Sequence, residues 1–311
     1  MSHVVAAVVQ AGSYLFDTAR TLEAATDLVH SAVAQGAQLV VMPEAFLGGY
    51  PKGLDFGVRI GSRSPGGRDE FRRYWESAID VPGPETTTLA TLAQELDVHL
   101  VLGAVERSGG TLYCSALFFG PQGGLLGKHR KLMPTAAERV IWGCGDGSTM
   151  PAISVGTARL GAAICWENYM PLFRMAMYNK GLDIWCAPTV DDRDTWQATM
   201  RHVALESRCF VLSPCQYLTR ANMPADVHPV QGDLPETVLI DGGSVIVSPL
   251  GEVLAGPLRG REGILVSDLD LDDIARSRFD FDATGHYARA DVFNLLVDER
   301  LQTSVEREGM T

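Results

Sequence analysis

The sequence lacks the short motifs that mark several large enzyme classes. Its six cysteines include no Cys-x-x-Cys pair, and no two of its seven histidines are spaced as His-x-x-x-His, so the common zinc-site spacings are missing. No Gly-x-Gly-x-x-Gly follows the first predicted strand, and neither a P-loop nor Gly-x-Ser-x-Gly occurs. The sequence therefore gives no motif for nucleotide binding or for an α/β-hydrolase nucleophile elbow.

Basic residues are fewer than acidic ones, and long apolar runs are missing. There are 26 basic against 38 acidic residues, a net charge of −12, which argues against nucleic acid and anionic membrane surfaces as partners. No apolar run approaches the roughly 20 residues that span a bilayer. The first ten residues lack a basic segment and predict a strand rather than a signal peptide. With no paired cysteine motif, these features predict a cytoplasmic protein.

Apolar runs alternate with amphipathic stretches along the 311 residues, which predicts an α/β protein. The predicted helices are 17–35, ended by Gly36, and 85–96, 170–180 and 195–208. The predicted strands are 3–10, a strand ending at Glu44, 98–105, 113–119, 125–127, 158–165, 183–187, 210–213, 243–248 and 263–269. Because no linker or low-complexity tract interrupts this order, we expect one domain over residues 1–295 and an exposed tail over 296–311.

Two pairs of segments leave alternatives open. Residues 118–126 and 246–254 each contain an apolar strand, a Pro-x-Gly turn and a second apolar strand. They are either unrelated hairpins or corresponding parts of a two-sheet sandwich with helices on its outer faces. Residues 48–73 and 220–236 are predicted to be long irregular loops, which either shape a site or are plain surface excursions.

Three chemically useful side chains follow strand-like runs. Cys165 ends the run 158–165, Glu44 ends 38–44, and Lys131 comes directly after 125–130. A thiol, a carboxylate and an amine at strand ends could serve as nucleophile, general base and cationic stabiliser. From spacing alone, however, a buried structural cysteine is the favoured interpretation of Cys165, and Glu44 and Lys131 are equally compatible with a solvated ion pair. Cys114, Cys186 and Cys209 lie in or beside apolar runs and are expected to pack as small hydrophobes.

Several longer motifs resemble one family. The segments MPEAF and GYP (42–46 and 49–51), GKHRKLMPT with ER and WG (127–135, 138–139 and 142–143) and CWENYMP (165–171) resemble the three signatures of the nitrilase branch of the carbon–nitrogen hydrolases. DDRDTWQ (191–197) and GHYARAD (285–291) are similar to that branch as well. The resemblance covers roughly residues 4 to 295. Ala290 departs from it, since relatives tend to carry proline there.

The resemblance implies a fold, a chemistry and an assembly. It implies a four-layer α-β-β-α sandwich, a homodimer or larger homo-oligomer, and a small-molecule nitrile substrate, with no metal and no organic cofactor. Cys165 matches the nucleophile, Glu44 the general base and Lys131 the stabilising or proton-donating cation, and Glu138 matches a second carboxylate. Four aromatic residues are expected to line the substrate pocket, although such residues more often serve packing: Tyr50, Trp142, Trp166 and Tyr169.

Rival functions remain at this point. An amidase or carbamoylase of the same superfamily would use the same side chains, and Trp166-Glu167 directly after the nucleophile favours nitriles. A nitrile-hydrating enzyme that releases the amide is a second alternative. A non-enzymatic scaffold is disfavoured because Glu44, Lys131 and Cys165 are all present.

Overall fold

Within residues 3–303 and 305, which the computed structural model describes, two seven-stranded sheets pack face to face. The N-terminal elements are β1 (His3–Gln10), α1 (Thr18–Val33), β2 (Leu39–Val41), β3 (Val58–Arg59), β4 (Ser62–Arg63), α2 (Pro65–Ser77), β5 (Ile79–Asp80), α3 (Pro84–Glu95), β6 (His99–Ser108), β7 (Thr111–Phe119) and β8 (Leu125–Arg130). Strands β1, β2 and β6 are parallel, and β6, β7 and β8 continue the sheet antiparallel.

The second sheet is built from the C-terminal half. The elements of this half are β9 (Ile153–Val155), β10 (Ala158–Ala162), α4 (Pro171–Tyr178), β11 (Ile184–Cys186), α5 (Asp194–Ser207), β12 (Phe210–Ser213), β13 (Tyr217–Thr219), β14 (Val238–Val247), β15 (Val253–Arg259), β16 (Gly263–Asp270) and α6 (Asp272–Ser277), and all of its strands except β16 belong to the second sheet. Strands β10, β11 and β12 are parallel, and β14 joins them antiparallel. Strand β16 returns to the first sheet and pairs with β1.

Alternate residues of each central strand face different layers, as the two-residue period of a strand requires. In β1, Val8 packs in the core between the sheets, whereas Val9 packs with Val29 of α1 in the outer layer. On the second sheet, Trp185 faces Met200 of α5 in the opposite outer layer. Helices therefore cover both outer faces, and the predicted four-layer α-β-β-α sandwich is confirmed.

Residues 48–73 are more ordered than the prediction of an irregular loop. The segment contains the β3–β4 hairpin and the start of α2. Ser64 caps this helix, with its hydroxyl oxygen accepting from the Gly67 amide at 3.0 Å, and Pro65 takes the first helical position. Ser-Pro is a helix-start signal that the glycine-rich composition obscured. The prediction of an irregular loop at 220–236 agrees better with the structure, because that segment contains a single short 3₁₀ turn, Arg220–Asn222.

Near the C-terminus, the prediction included only the start of β15, as the second strand of the segment 246–254, and it missed α6. The predicted tail, 296–311, falls partly outside the described residues; residues 296–303 and 305 are exposed. In the part of the chain that the structure describes, no helix is long and apolar enough to cross a membrane.

Gly103 in β6 lets the segment after β2 approach the sheet. A Cβ at this position would lie 2.2 Å from the Pro43 carbonyl oxygen and 2.7 Å from the Glu44 Cα. All three nearest neighbours are backbone atoms, so no side-chain rotation can relieve the clash.

We predict that Gly103→Ala lowers the stability by about 1–3 kcal/mol and displaces the backbone of Glu44. Gly110→Ala is the matched control, because a Cβ at Gly110 meets no atom within 4 Å. Thermal unfolding and turnover should both fall in Gly103→Ala and stay close to wild type in Gly110→Ala. Equal behaviour of the two variants would contradict this packing argument.

Candidate active site

Glu44, Lys131 and Glu138 form one buried cluster. The Lys131 Nζ lies 2.6 Å from Glu44 Oε1 and 2.8 Å from Glu138 Oε2. The Lys131 and Glu44 side chains have no exposed surface. The Cys165 thiol lies close enough to Glu44 and Lys131 for their charges to shift its pKa, Glu44 upward and Lys131 downward. The structure thus brings together the four residues that the sequence singled out.

Glu44 is placed by the close passage of its segment along β6. The Met42 amide donates to the Val101 carbonyl at 2.8 Å, and the Phe46 amide donates to the Gly103 carbonyl at 2.9 Å. From the other side, Gln216 Nε2 donates to the Glu44 carbonyl at 2.8 Å. The regular strand ends at Val41, three residues before the predicted end, because the chain turns before it reaches Glu44.

Glu138 is oriented by the turn that carries it. It lies in the 3₁₀ helix Ala136–Val140, and its Oε2 accepts from the Thr135 amide at 2.6 Å, at the start of that helix. Its Oε1 accepts from the Tyr50 hydroxyl at 2.9 Å. With Lys131 as a third partner, this carboxylate is held from three directions and has little freedom to rotate.

Cys165 does not end a strand, contrary to the prediction. Strand β10 ends at Ala162, and Cys165 begins the 3₁₀ helix Cys165–Tyr169 with a φ of 50°. A left-handed backbone is unfavourable for a residue with a side chain, and such strain often occurs at functional sites. Its amide donates to the Pro188 carbonyl at 2.9 Å, and the Thr189 hydroxyl lies 3.2 Å from its sulfur. Sequence reasoning missed Thr189, which carries no motif.

Burial controls the protonation of the site. Burial raises the pKa of Glu44 to about 7; Lys131 opposes this shift and Glu138 reinforces it. Burial, and next the Glu44 charge, also raise the pKa of the Cys165 thiol far above its ordinary value. Burial alone would lower the pKa of Lys131, but the surrounding acidic groups, Glu44 first, raise it well above the usual range. The resting site therefore holds a neutral thiol, an ammonium and a carboxyl group that can exchange protons near neutral pH.

Cys114 is part of this neighbourhood as well as part of the core. It is buried as predicted, but its sulfur lies 3.6 Å from Glu44 Oε1. Cys186 and Cys209 are also buried, as expected, and burial raises the pKa of both thiols. A raised pKa disfavours the reactive thiolate, so a buried thiol needs an adjacent base to react; at Cys186 burial is the only cause of the shift.

The four predicted pocket aromatics fall into two groups. Tyr50 and Trp142 pack edge to face, with ring centroids 5.8 Å apart, and the Lys131 Nζ lies 5.7 Å from the Trp142 ring. Trp166 and Tyr169 pack edge to face at 5.7 Å but are about 40% exposed. The first pair therefore contacts the buried cluster, and the second pair forms a surface beside the turn that begins at Cys165.

A cavity of about 240 Å³ borders the cluster at Tyr50 and Glu138. Its walls are mostly apolar and come from the segment before β3 and from the turn that carries Glu138: Leu54, Phe56, Val58, Val140 and Ile141. A cavity of this kind suits a small apolar substituent held next to a few polar groups.

The family model for carbon–nitrogen hydrolases matches residues 5–279. The chain belongs to the carbon–nitrogen hydrolase family. It is 56% identical to an aliphatic nitrilase of Sinorhizobium fredii, over 98% of this chain and 99% of that protein. It is also 55% identical to a bifunctional nitrilase/nitrile hydratase of Nicotiana tabacum, over 97% of this chain and 88% of that protein. The predicted recognition in the nitrilase branch is confirmed by these relatives.

Solved structures share the fold at lower identity. The NitFhit protein of C. elegans aligns with a TM-score of 0.73 at 18% identity, over 97% of this chain and 69% of that one. A Saccharomyces cerevisiae member of the nitrilase superfamily aligns with a TM-score of 0.68 at 23% identity, over 92% and 96% of the two chains. These structures show the fold alone.

The raised pKa of Glu44 predicts a pH dependence that Glu138 tunes. If Glu44 acts as a base, kcat/KM should fall as pH drops through about 7, because protonation removes the base. Glu138→Gln removes a negative charge that raises this pKa, so the acid limb should move to lower pH. A pH–rate profile for both proteins checks this. An acid limb that stays in place or moves upward would contradict the assignment of Glu44 as the titrating base.

Proposed function

We propose that this protein hydrolyses nitriles to carboxylic acids and ammonia through covalent intermediates on Cys165. The observation that supports this most strongly is the buried contact of Lys131 with both Glu44 and Glu138, beside the Cys165 thiol. Curated relatives at 52–56% identity over nearly the whole chain are named as nitrilases. Cys165 is assigned as nucleophile, Glu44 as base and Lys131 as cation.

The first half-reaction forms a thioimidate. A nitrile carbon is a weak electrophile, so attack requires the sulfur to lose its proton as the S–C bond forms. Glu44 accepts that proton, which then passes to the nitrile nitrogen as the C≡N bond becomes C=N, so that Glu44 returns to its carboxylate form. The Lys131 ammonium stabilises the negative charge that develops during this step, which a group held in a dry site can do without reorganisation.

The second half-reaction adds two waters. Glu44 takes a proton from the first water as it attacks the thioimidate carbon, giving a tetrahedral species. Loss of ammonia leaves a thioester on Cys165, and a second water releases the carboxylic acid and restores the thiol. Glu44 suits repeated proton transfer because its pKa of about 7 lets it accept and return protons near neutral pH.

Amide release is a second candidate product. The tetrahedral species also yields an amide if the C–S bond breaks instead of the C–N bond. A tobacco relative at 55% identity is named as both a nitrilase and a nitrile hydratase. Acid and amide should therefore both be measured on a panel of aliphatic mono- and dinitriles, arylacetonitriles and benzonitriles, with simple amides added as substrates because an amidase would use the same side chains.

We predict that Cys165→Ala lowers nitrile turnover by at least about 10⁴-fold, because no other group replaces the covalent nucleophile. Cys186→Ala is the matched control: it also removes a buried sulfur from the inter-sheet core, and it should keep near wild-type activity. Thermal unfolding would show that both variants fold. Substantial turnover by Cys165→Ala would overturn the mechanism.

The proposed enzyme is at least a dimer, with α4 and α5 contributing to the interface. Leu172 on α4 and Leu205 on α5 are exposed apolar side chains, and Tyr169 lies just before α4. Covering such side chains favours association. We further propose that the protein works in the cytoplasm, as its cysteine usage suggests.

Light scattering should therefore give a mass of at least twice the 33.6 kDa of one chain. Because the nucleophile turn immediately precedes α4, dilution that dissociates the assembly should reduce specific activity together with mass. A fully active, monodisperse monomer would rule out this assembly.

A further inference from the structure

Glu167 connects the two chain segments that carry Lys131 and Cys165. Its Oε1 accepts from the Leu132 amide at 2.7 Å, and its Oε2 accepts from the Ile164 amide at 2.7 Å. Leu132 directly follows Lys131, and Ile164 directly precedes Cys165. The carboxylate therefore joins the end of β8 in one sheet to the turn after β10 in the other.

The third partner of Glu167 is His129. The Nε2 of His129 lies 2.8 Å from Glu167 Oε2, and its Nδ1 lies 2.6 Å from the Thr149 carbonyl oxygen. A carbonyl oxygen only accepts, so Nδ1 must carry a proton, and a carboxylate that faces Nε2 requires a proton there too. This geometry describes an imidazolium paired with a carboxylate, both with about 1% exposure or less.

The surroundings of His129 fit this state. The ring of Phe173 from α4 stacks on the imidazole, with centroids 5.4 Å apart and planes inclined by 25°. Burial alone would lower the pKa of His129, but the Glu167 charge and its hydrogen bond raise that pKa above the ordinary value. A buried carboxylate is costly unless it is paired and hydrogen-bonded, and His129 with the two backbone amides gives Glu167 those partners.

We propose that Glu167, held by His129, is a positioning residue that fixes Lys131 relative to Cys165 and thereby sets the ratio of acid to amide. This inference rests on the proposed function. It assigns no contact with substrate to either residue; both act through the backbone beside the catalytic groups.

The chemistry of the tetrahedral species explains why position should matter for this ratio. The C–N bond breaks only after the nitrogen has accepted a proton, because an unprotonated amide ion cannot leave, and this path gives ammonia and the thioester. The C–S bond can break without such a proton, since a thiolate is a stable leaving group, and this path gives the amide. A site in which Lys131 and its carboxylates are misplaced should deliver the proton less well, so the amide share should rise.

Glu167→Gln tests the proposal with little change in volume. Glutamine has one acceptor oxygen, so its amino group must face either the Leu132 amide or the Ile164 amide, donor against donor. We expect kcat to fall by about 10²-fold, as for a misplacement of about 1 Å, and the amide share of product to rise severalfold. The ratio of products does not depend on how many molecules are folded, so loss of fold alone cannot change it.

Glu106→Gln is the matched control. Glu106 is an equally buried carboxylate that accepts from Ser115 at 2.8 Å and from Arg130 at 2.6 and 2.9 Å, outside the catalytic cluster. The Glu106→Gln variant should be less stable than wild type but should keep the wild-type ratio of acid to amide. His129→Gln provides a second test, because it can still donate one hydrogen bond to Glu167 but carries no charge; its ratio should lie between wild type and Glu167→Gln.

The outcomes separate the two proposals. If wild type turns over nitriles but neither Glu167→Gln nor His129→Gln changes the ratio, or Glu106→Gln changes it equally, the positioning role is wrong. If Glu167→Gln does not fold, His129→Gln decides alone. If wild type turns over no nitrile of the panel, the proposed function itself fails.

Discussion

A single ammonium held between two carboxylates, away from water, is the interaction on which the rest of the site depends. Lys131 lies within 2.8 Å of both Glu44 and Glu138. Removing three charges from water is costly, and only close pairing with further hydrogen bonds offsets that cost. The Tyr50 hydroxyl and the Thr135 amide donate hydrogen bonds to Glu138, and the packed sheets exclude solvent from the cluster. The sandwich therefore provides the low dielectric that makes these charges effective.

The raised pKa of Glu44 reduces the stability of the folded protein in the pH range where the Glu44 carboxylate can accept a proton. Burial raises the pKa of Glu44 from 4.5 to about 7, so the folded protein binds this proton more tightly than the unfolded chain. The stabilisation from that proton is complete below about 4.5 and is lost as pH rises through about 7. The ionised base is thus present where folding gains least from Glu44, and the large apolar core must supply the difference.

Three of the seven non-glycine residues that have a positive φ in the described part of the chain lie at this site. Ala45, Ala136 and Cys165 all have a φ near 50°, and each is a member of the proposed catalytic cluster or lies within two residues of one. None of the three is glycine, so the surrounding contacts must hold them in this conformation. For Cys165 those contacts include Pro188 and Asn168, whose side-chain amide donates to the Cys165 carbonyl at 2.8 Å.

Much of this could be predicted from the sequence, because strands, amphipathic helices and motif residues are local patterns. The sandwich and the residues of the cluster followed from such patterns and from a family resemblance. The ends of β2 and β10 did not, since long-range contacts with β6 and with Pro188 turn the chain early. The roles of Glu167 and His129 depend on hydrogen bonds between different sheets, which no spacing reveals.

Cys114 illustrates the same limit. Its apolar neighbours correctly predicted burial, but its contact with Glu44 arises from the pairing of β6 with β7 and from the turn after β2. Nothing in the local sequence around Cys114 indicates that its side chain contacts Glu44. Contacts between distant segments of the chain, rather than residue type, decide which buried thiol lies beside the Glu44 carboxylate.

The most direct test of the central assignment is the mass of the protein during turnover. A nitrile substrate would be mixed with excess enzyme, quenched in acid within milliseconds, and the peptides analysed by mass spectrometry. The account predicts a transient thioimidate or thioester adduct on the peptide that contains Cys165, which appears before product and then decays. Product formation with no adduct, or an adduct on Cys114 or another residue, would contradict it.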